Sequence, residues 1–441
     1  MTNLKGKRVA VVGMAKSGIA AVELLVAQGA AVVALDQKTV TDARLAALGV
    51  NVLPQEPGAV VDVDLLVLSP GVPADADVAQ AARSKGTPVI GDLELASWFL
   101  RGGVIGITGA NGKTTTTAMT GHILQSSDIP VQVGGNIGTP PASMVATSRA
   151  GQWNVLELSS FQLETTAAFR AHIGAALNVT PDHLDRHYTF ENYAAAKAKL
   201  FANQTAADFA VLNADDAVTA AYAGATAGVV HWFSSAHSVD RGASVSNGTI
   251  LLDGEPFMRA DEVPLRGAHN IENTMAAAIM AKLAGATPQQ IRAGVMSFPG
   301  VEHRIEFVGE LHGVAWYNDS KATNVDATLK AIAAFAGGLW IILGGKDKGS
   351  DYTPLVGALQ GKVQGVLLIG AAAEKIERQI GGLPIRRCGT LDAAVREAYA
   401  HARSGDTVLL APACASFDQF ESYEHRGREF KRLAAALGVA R

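Results

Sequence analysis

Short runs of β-branched and aliphatic residues, each closing on a glycine-bearing turn and followed by an Ala/Leu-rich stretch, recur along the chain. This alternation leaves few folds open, because parallel strands need helical crossovers and those helices then cover both sheet faces. The first block opens with Arg8-Val-Ala-Val-Val12 and a glycine turn. A helix follows to about Gln28, stopped by Gly29, and a strand over 31–35 ends at Asp36. Another strand, over 64–68, runs into Ser69-Pro-Gly71, and a helix over 93–100 closes the block. The second block begins with a strand over 104–108 and carries strands at 154–157 and 175–180. From about 225 to 264 it reads as short hairpins, with turn signals at Asn247-Gly248 and Asp253-Gly254, before a helix over 273–283. The third block has strands at 314–317, 339–343, 365–369 and 407–410. A helix in it sets Val325, Leu329, Ile332 and Ala336 at 3.6-residue spacing. The pattern predicts an α/β chain of three domains, 1–93, 94–299 and 300–441.

Composition narrows the partners. With 37 basic and 41 acidic side chains the net charge is −4, which gives no electrostatic reason to expect nucleic acid or an anionic membrane. The two cysteines, Cys388 and Cys414, form no CxxC pair, so a disulfide framework or cysteine zinc site is excluded and a reducing compartment is expected. No apolar run approaches the roughly 20 residues of a membrane helix. The stretch after Met1 is too short for a signal-peptide core. The expectation is a soluble, cytoplasmic protein.

The sharpest local signal is Thr108-Gly-Ala-Asn-Gly-Lys-Thr-Thr115, between a buried strand and a helix. Backbone N–H groups of Gly109, Ala110, Asn111 and Gly112 would form an anion nest, with the helix dipole behind it. Lys113 would reach the β/γ-phosphates of ATP, and the Thr114 hydroxyl would bind magnesium, with Thr115 beside it. The strict P-loop pattern asks for glycine where Ile107 stands, so this is a variant loop. Glu157 ends a buried strand, where a carboxylate can face the phosphates. His183 follows another strand in Pro181-Asp-His-Leu-Asp-Arg-His187. A helical His183/His187 pair would suggest zinc, but the glutamate of a zinc hydrolase is missing; with the loop, Glu157 and His183 point to a two-magnesium site. Lys197 and Lys199 lie in a helix-forming run, and their residues alone read as a solvated helix face.

The turn Gly13-Met-Ala-Lys-Ser-Gly18 departs from GxGxxG at Ala15, and Asp36 stands where a ribose-binding acid would sit. That supports a nucleotide diphosphate in the first domain and leaves NAD and UDP both open. Polar clusters remain at His269-Asn-Ile-Glu-Asn273, His303-Arg304, Asp319-Ser-Lys-Ala-Thr-Asn324, Gly344-Gly-Lys-Asp-Lys-Gly349 and Pro412-Ala-Cys-Ala-Ser-Phe-Asp-Gln-Phe420. Three of them follow strands of the third block, so they should gather on one sheet edge. No G-x-S-x-G elbow or HExxH occurs, which argues against serine hydrolases and zinc peptidases.

TGANGKTT, ELSSFQLE (Glu157 to Glu164), NVTPDHLDRH, AHNIEN, HR and DSKATN resemble, in order and over nearly the whole chain, the successive motifs of the Mur ligases. Within that family, DSKATN and PACASFDQF resemble the member that adds D-glutamate, while the DNPR motif of the diaminopimelate/lysine adders is absent. The resemblance implies a Rossmann-like UDP-substrate domain, a central P-loop-type ATPase domain with a parallel sheet, and a C-terminal dinucleotide-fold-like amino-acid domain. It implies a monomeric, ATP-dependent amide ligase whose substrates are UDP-N-acetylmuramoyl-L-alanine and D-glutamate. It further implies two magnesium ions held by Thr114, Glu157, His183 and a carbamylated Lys197. Asn270, Asn273, Arg304 and Asp319 would serve ATP. Lys321, Thr323, Lys348, Ser416 and Tyr423 would bind D-glutamate, and Lys113, His183, Lys197 and Lys321 would carry the chemistry. Ser17, Asp36, Ser69, Pro70 and Gly71 would hold the uridine diphosphate, and Asn136 the muramoyl group. Three rivals remain. A nicotinamide-dependent dehydrogenase leaves the Gly-Lys-Thr-Thr loop unexplained. A folylpolyglutamate-type ligase would not need the uridine-type first domain. An NTPase driving a partner's motion would hydrolyse ATP without both acceptors.

Overall fold

The computed structural model describes residues 3–440 of the 441-residue chain. The described residues build three β-sheets. The first is wholly parallel, in the order Val52–Pro54, Ala31–Asp36, Arg8–Val12, Leu65–Leu68, Val89–Gly91. Its central strand shows why the run is apolar throughout rather than alternating. Val9 and Val11 pack into one core, and Ala10 and Val12 into the core on the other face. Strand order reverses at Arg8–Val12, so a crevice opens beyond its carboxyl end beside Leu65–Leu68. Gly18 lets the following helix sit close. A Cβ there would lie 1.8 Å from the Gly13 carbonyl oxygen.

The second sheet has nine strands, in the order Glu255–Arg259, Thr249–Leu252, Gly242–Ser246, Val229–Ser234, Phe209–Asn213, Ile173–Ala176, Gly103–Thr108, Trp153–Glu157, Val131–Gly135. Gly103–Thr108 runs parallel between Ile173–Ala176 and Trp153–Glu157, pairing Ile107 with Glu157 and Thr108 with Ala176. The carboxyl ends of these three strands therefore meet at one edge.

Three expectations change here. The strand expected over 175–180 stops at Ala176, and the residues beyond it leave the sheet to brace a loop. The stretch expected to be all hairpins forms antiparallel turns at Asn247-Gly248 and Asp253-Gly254, but Val229–Ser234 pairs parallel with both neighbours. The helix expected over 273–283 starts earlier, at Ala268, and takes in His269, Asn270 and Asn273.

Helix Asp92–Ser97 follows the first sheet. Its Glu94, 1% exposed, accepts the backbone N–H groups of Ala167, Ala168 and Phe169 at 2.9–3.1 Å and the Trp98 indole N–H at 2.9 Å. A negative charge is thereby satisfied wholly by neutral donors.

The third sheet runs Glu306–Leu311, Val314–Asn318, Thr407–Leu410, Leu339–Gly344, Val363–Ile369, Ile385–Gly389, with the first pair antiparallel and the rest parallel. Its two faces carry separate apolar cores. The chain forms two compact units: one comprises residues up to Pro264 with Ala268–Phe298, the other Leu265–Gly267 with Pro299 onward. In the latter, Arg266 donates to the Tyr317 hydroxyl at 2.8 Å and lies over the Tyr317 and Phe335 rings. Among the described residues no helix is long and apolar enough to cross a membrane.

Candidate active site

The loop after Gly103–Thr108 turns into helix Lys113–Ser126 through Gly112, whose φ of +84° favours a residue without a side chain. A Cβ there would also come within 2.3 Å of Asn273 Oδ1. Asn178 braces the loop from the neighbouring strand end. Its carbonyl accepts the Ala110 N–H at 2.8 Å, its side-chain oxygen the Asn111 N–H at 2.8 Å, and its amide donates to the Asn111 carbonyl at 3.2 Å. The anion nest is therefore narrower than expected, since Ala110 and Asn111 donate within the protein. Asn178 went unassigned because the motif containing it read as strand. Lys113 crosses the loop to the Gly109 and Ala110 carbonyls at 2.8 and 2.9 Å. Thr115 is buried in the first turn. Thr116 donates to Asn273 at 3.2 Å, and Asn273 to Asn270 at 2.9 Å, so both asparagines stand beside the loop.

Across the sheet edge, Glu157 is 2% exposed. It accepts from the Thr114 hydroxyl at 2.8 Å and the Asn136 amide at 3.2 Å, while the Asn136 N–H donates to the Glu157 carbonyl at 2.8 Å. A buried carboxylate with only neutral donors, beside a threonine hydroxyl, is an oxygen donor set suited to magnesium. Among the described residues no three His, Cys, Asp or Glu side chains cluster as a metal site.

Lys197 is not on a solvated face. It is 1% exposed, donates to the Gly109 carbonyl at 2.8 Å and lies 4.6 Å from the centre of the Tyr193 ring. Burial, then the Lys113 charge, lowers its pKa to about 7, so a large fraction is neutral amine near neutral pH. Lys199 is exposed and donates to the Glu164 carbonyl at 2.6 Å, as a surface lysine would.

His183 has left-handed backbone, with φ of 52°, and its side chain is 49% exposed, 3.6 Å from Asp182. Its ring is 4.8 Å from Phe161 and 6.4 Å from Tyr193, which also flanks Lys197. His187 turns inward to the Ser160 hydroxyl at 3.0 Å, while its ring packs on the same Phe161 and Tyr193, at 5.5 and 5.4 Å.

In the first sheet's crevice, the Ser69 hydroxyl donates to the Gly13 carbonyl at 2.6 Å. Asp36 accepts the Met14 N–H at 2.6 Å and the Lys38 N–H at 2.8 Å, so its carboxylate ties the glycine turn to the next strand. Ser17 and Pro70 are half-buried and Gly71 is exposed around the same crevice. Asp92, which sequence reasoning passed over, is 1% exposed and both carboxylate oxygens lack a direct hydrogen-bond partner. Burial raises its pKa to about 7, with the Leu93 N–H and Ser17 hydroxyl pulling weakly the other way.

The third sheet gathers its polar clusters as expected, because the strands before Asp319, Gly344 and Pro412 are parallel neighbours. Asp319 is 5% exposed and accepts the Ile305 N–H at 3.1 Å. Burial raises its pKa to about 6, while the Ile305 N–H and the charges of Arg304 and Lys321 pull the other way. Thr323 follows in the same turn, its N–H donating to the Lys321 carbonyl at 2.8 Å. Ser416 is 2% exposed, Lys348 is exposed, and Tyr423 opens the last helix with its ring 6.2 Å from His303.

Comparison with known proteins gives a consistent result along the chain. Residues 7–91 match the Mur ligase MurD-like N-terminal domain, 107–281 the Mur ligase middle domain and 303–414 the Mur ligase glutamate ligase domain. A UDP-N-acetylmuramoylalanine–D-glutamate ligase of Solibacter usitatus is 58% identical, over 98% of this chain and 99% of its own. The Acidobacterium capsulatum protein of that name is 50% identical, over 98% and 97%. Among solved structures, the UDP-N-acetylmuramate-alanine ligase of Thermotoga maritima aligns over 98% of this chain and all of its own, with a TM-score of 0.61 at 17% identity, a likeness of fold.

Proposed function

The chain belongs to the Mur ligase family, and from that premise we propose that it joins D-glutamate to UDP-N-acetylmuramoyl-L-alanine, driven by ATP, in peptidoglycan precursor synthesis. The observation that carries this reading is full-length identity of 58% to a ligase bearing that name, in a chain whose phosphate loop, buried Glu157 and Asp319 edge suit the chemistry. The terminal phosphoryl group of ATP passes to the alanine carboxylate, giving an acyl phosphate and ADP. The D-glutamate amine then attacks the acyl carbon, a proton leaves the nitrogen, and phosphate departs as the amide forms.

Lys113 and the first turn of its helix hold the phosphates and offset charge that grows on the transferring group. Glu157 and Thr114 would hold one magnesium ion, and His183 with carbamylated Lys197 a second, and the ions would supply positive charge to offset that of the transferring phosphoryl group. Lys197 is suited to carbamylation because its neutral amine can add carbon dioxide with loss of one proton, leaving an anionic carboxylate. Asn270, Asn273, Arg304 and Asp319 would serve ATP. Ser17, Asp36, Ser69, Pro70 and Gly71 would take the uridine diphosphate, and Asn136 the muramoyl group. Lys321, Thr323, Lys348, Ser416 and Tyr423 would take the acceptor amino acid. A cytoplasmic monomer with functional domains 1–93, 94–299 and 300–441 completes the reading.

The test supplies ATP, UDP-N-acetylmuramoyl-L-alanine and single amino acids, scoring ADP and product mass. ADP should form only with both acceptors present, and the nucleotide product should gain one glutamyl residue. ATP turnover without them, or ligation of a different amino acid in place of D-glutamate, overturns the reading. For Lys197, the Lys197→Ala variant should be nearly inactive and partly restored by a short carboxylic acid; full activity without one removes the carbamate role.

A further inference from the structure

Arg426, in helix Tyr423–Ala436, is completely buried. Its Nε donates to the Ser320 hydroxyl at 3.0 Å. One terminal nitrogen donates to the Cys414 and Ala415 carbonyls at 3.2 and 3.4 Å, the other to the Ser320 and Cys414 carbonyls at 2.9 and 3.2 Å. Every acceptor is neutral, and among the described residues the guanidinium forms no ion pair. The field of Asp418 reaches it, but that carboxylate accepts the Ala371 N–H at 3.0 Å. A buried arginine without an ion-pair partner is costly to keep. Burial lowers its pKa only to about 10, so it stays charged at neutral pH.

The segments it holds lead to the proposed acceptor residues. Ser320 precedes Lys321, and Ala415 precedes Ser416. Ala415 is paired with Lys346, two residues before Lys348, by backbone bonds of 2.8 and 3.2 Å. The Ser320 hydroxyl donates to the Tyr423 carbonyl at 2.7 Å. Four of the five proposed acceptor residues thus adjoin the guanidinium's own partners or their pairing strand.

We infer that Arg426 is a specificity-determining positioning residue: it fixes the acceptor loops and adds a positive charge held by no direct ion pair, which favours a dicarboxylic amino acid over its neutral isostere. The inference rests on the acceptor site proposed above. Coulomb attraction inside a protein persists over several ångströms, so a cation need not touch the substrate to bias this choice.

The experiment compares ADP release with D-glutamate and with D-glutamine in the full chain, using saturating ATP and UDP-N-acetylmuramoyl-L-alanine. Arg426→Met should lower the D-glutamate preference on the order of tenfold, through a higher KM for D-glutamate with KM for ATP unchanged. Arg426→Lys, which keeps the charge and loses most carbonyl contacts, should retain most of the preference. Asp418→Asn, which removes the opposing charge, should raise it, and this variant decides the matter where Arg426→Met does not fold. Equal losses for both amino acids with an unchanged ratio, or no rise in Asp418→Asn, overturn the inference alone. A wild-type chain that does not use D-glutamate overturns the proposed function as well.

Discussion

Lys113 places an ammonium across the mouth of the phosphate loop, 2.8 and 2.9 Å from two loop carbonyls. Lys113→Ala should therefore cost on the order of 100-fold or more in turnover. An unchanged thermal midpoint would show that the fold is intact, and near-normal turnover would remove the loop from the reaction. Asp92 makes a different prediction. Its folded pKa, about 7, lies above the unfolded value near 3.8, so between those values the folded state binds more protons and stability falls as pH rises. Asp92→Asn should be more stable than wild type at pH 8, with the gap closing near pH 5, as read by thermal melts. An equal gap at both pH values would assign the effect to packing. These residues also mark the limit of reading a linear chain. The loop lysine was legible because its neighbours are local. Lys197 and Lys199 are two positions apart in one helix, and only helical phase against the sheet separates the buried amine from the surface one. Asp92, Glu94 and Arg426 look like surface charges, since their partners or surroundings come from distant segments.

Glu94 joins its short helix to the start of another segment by accepting three successive backbone N–H groups. Glu94→Ala would leave those donors and the Trp98 indole without an acceptor in a buried place, and should destabilise by about 3–5 kcal/mol. Urea unfolding checks it, and a loss below about 1 kcal/mol would mean that water replaces the carboxylate. Glu94→Gln should fall between, because an amide oxygen can still accept. Elements with continuous apolar runs, such as Arg8–Val12 and Leu339–Gly344, were readable because burial on both faces leaves a compositional mark. Val229–Ser234 was not, because nearby turn signals announce hairpins while its parallel partners are set by tertiary packing. The end of Ile173–Ala176 was also hidden: Leu177-Asn-Val-Thr180 has strand composition, yet Asn178 is drawn out to hold the phosphate loop.

Two compact units with separate cores should not unfold as one cooperative block. Phe430 is fully buried against Trp316, with ring centres 6.0 Å apart, and Phe430→Ala should cost its unit about 3–5 kcal/mol. Hydrogen exchange should then quicken in peptides beyond 299 and stay unchanged around the phosphate loop. Equal quickening in both regions would show a single cooperative molecule. The chain enters the second unit twice, first briefly as Leu265–Gly267 and then for good at Pro299. Anyone exchanging C-terminal regions between relatives at a single crossover near 299 would therefore leave Arg266 behind with the donor of the other half. The transplanted Tyr317 and Phe335 would meet whatever side chain the host carries at that position. A faithful graft needs two seams, and a chimera that behaves poorly with one should improve when the three-residue strap travels with its own rings.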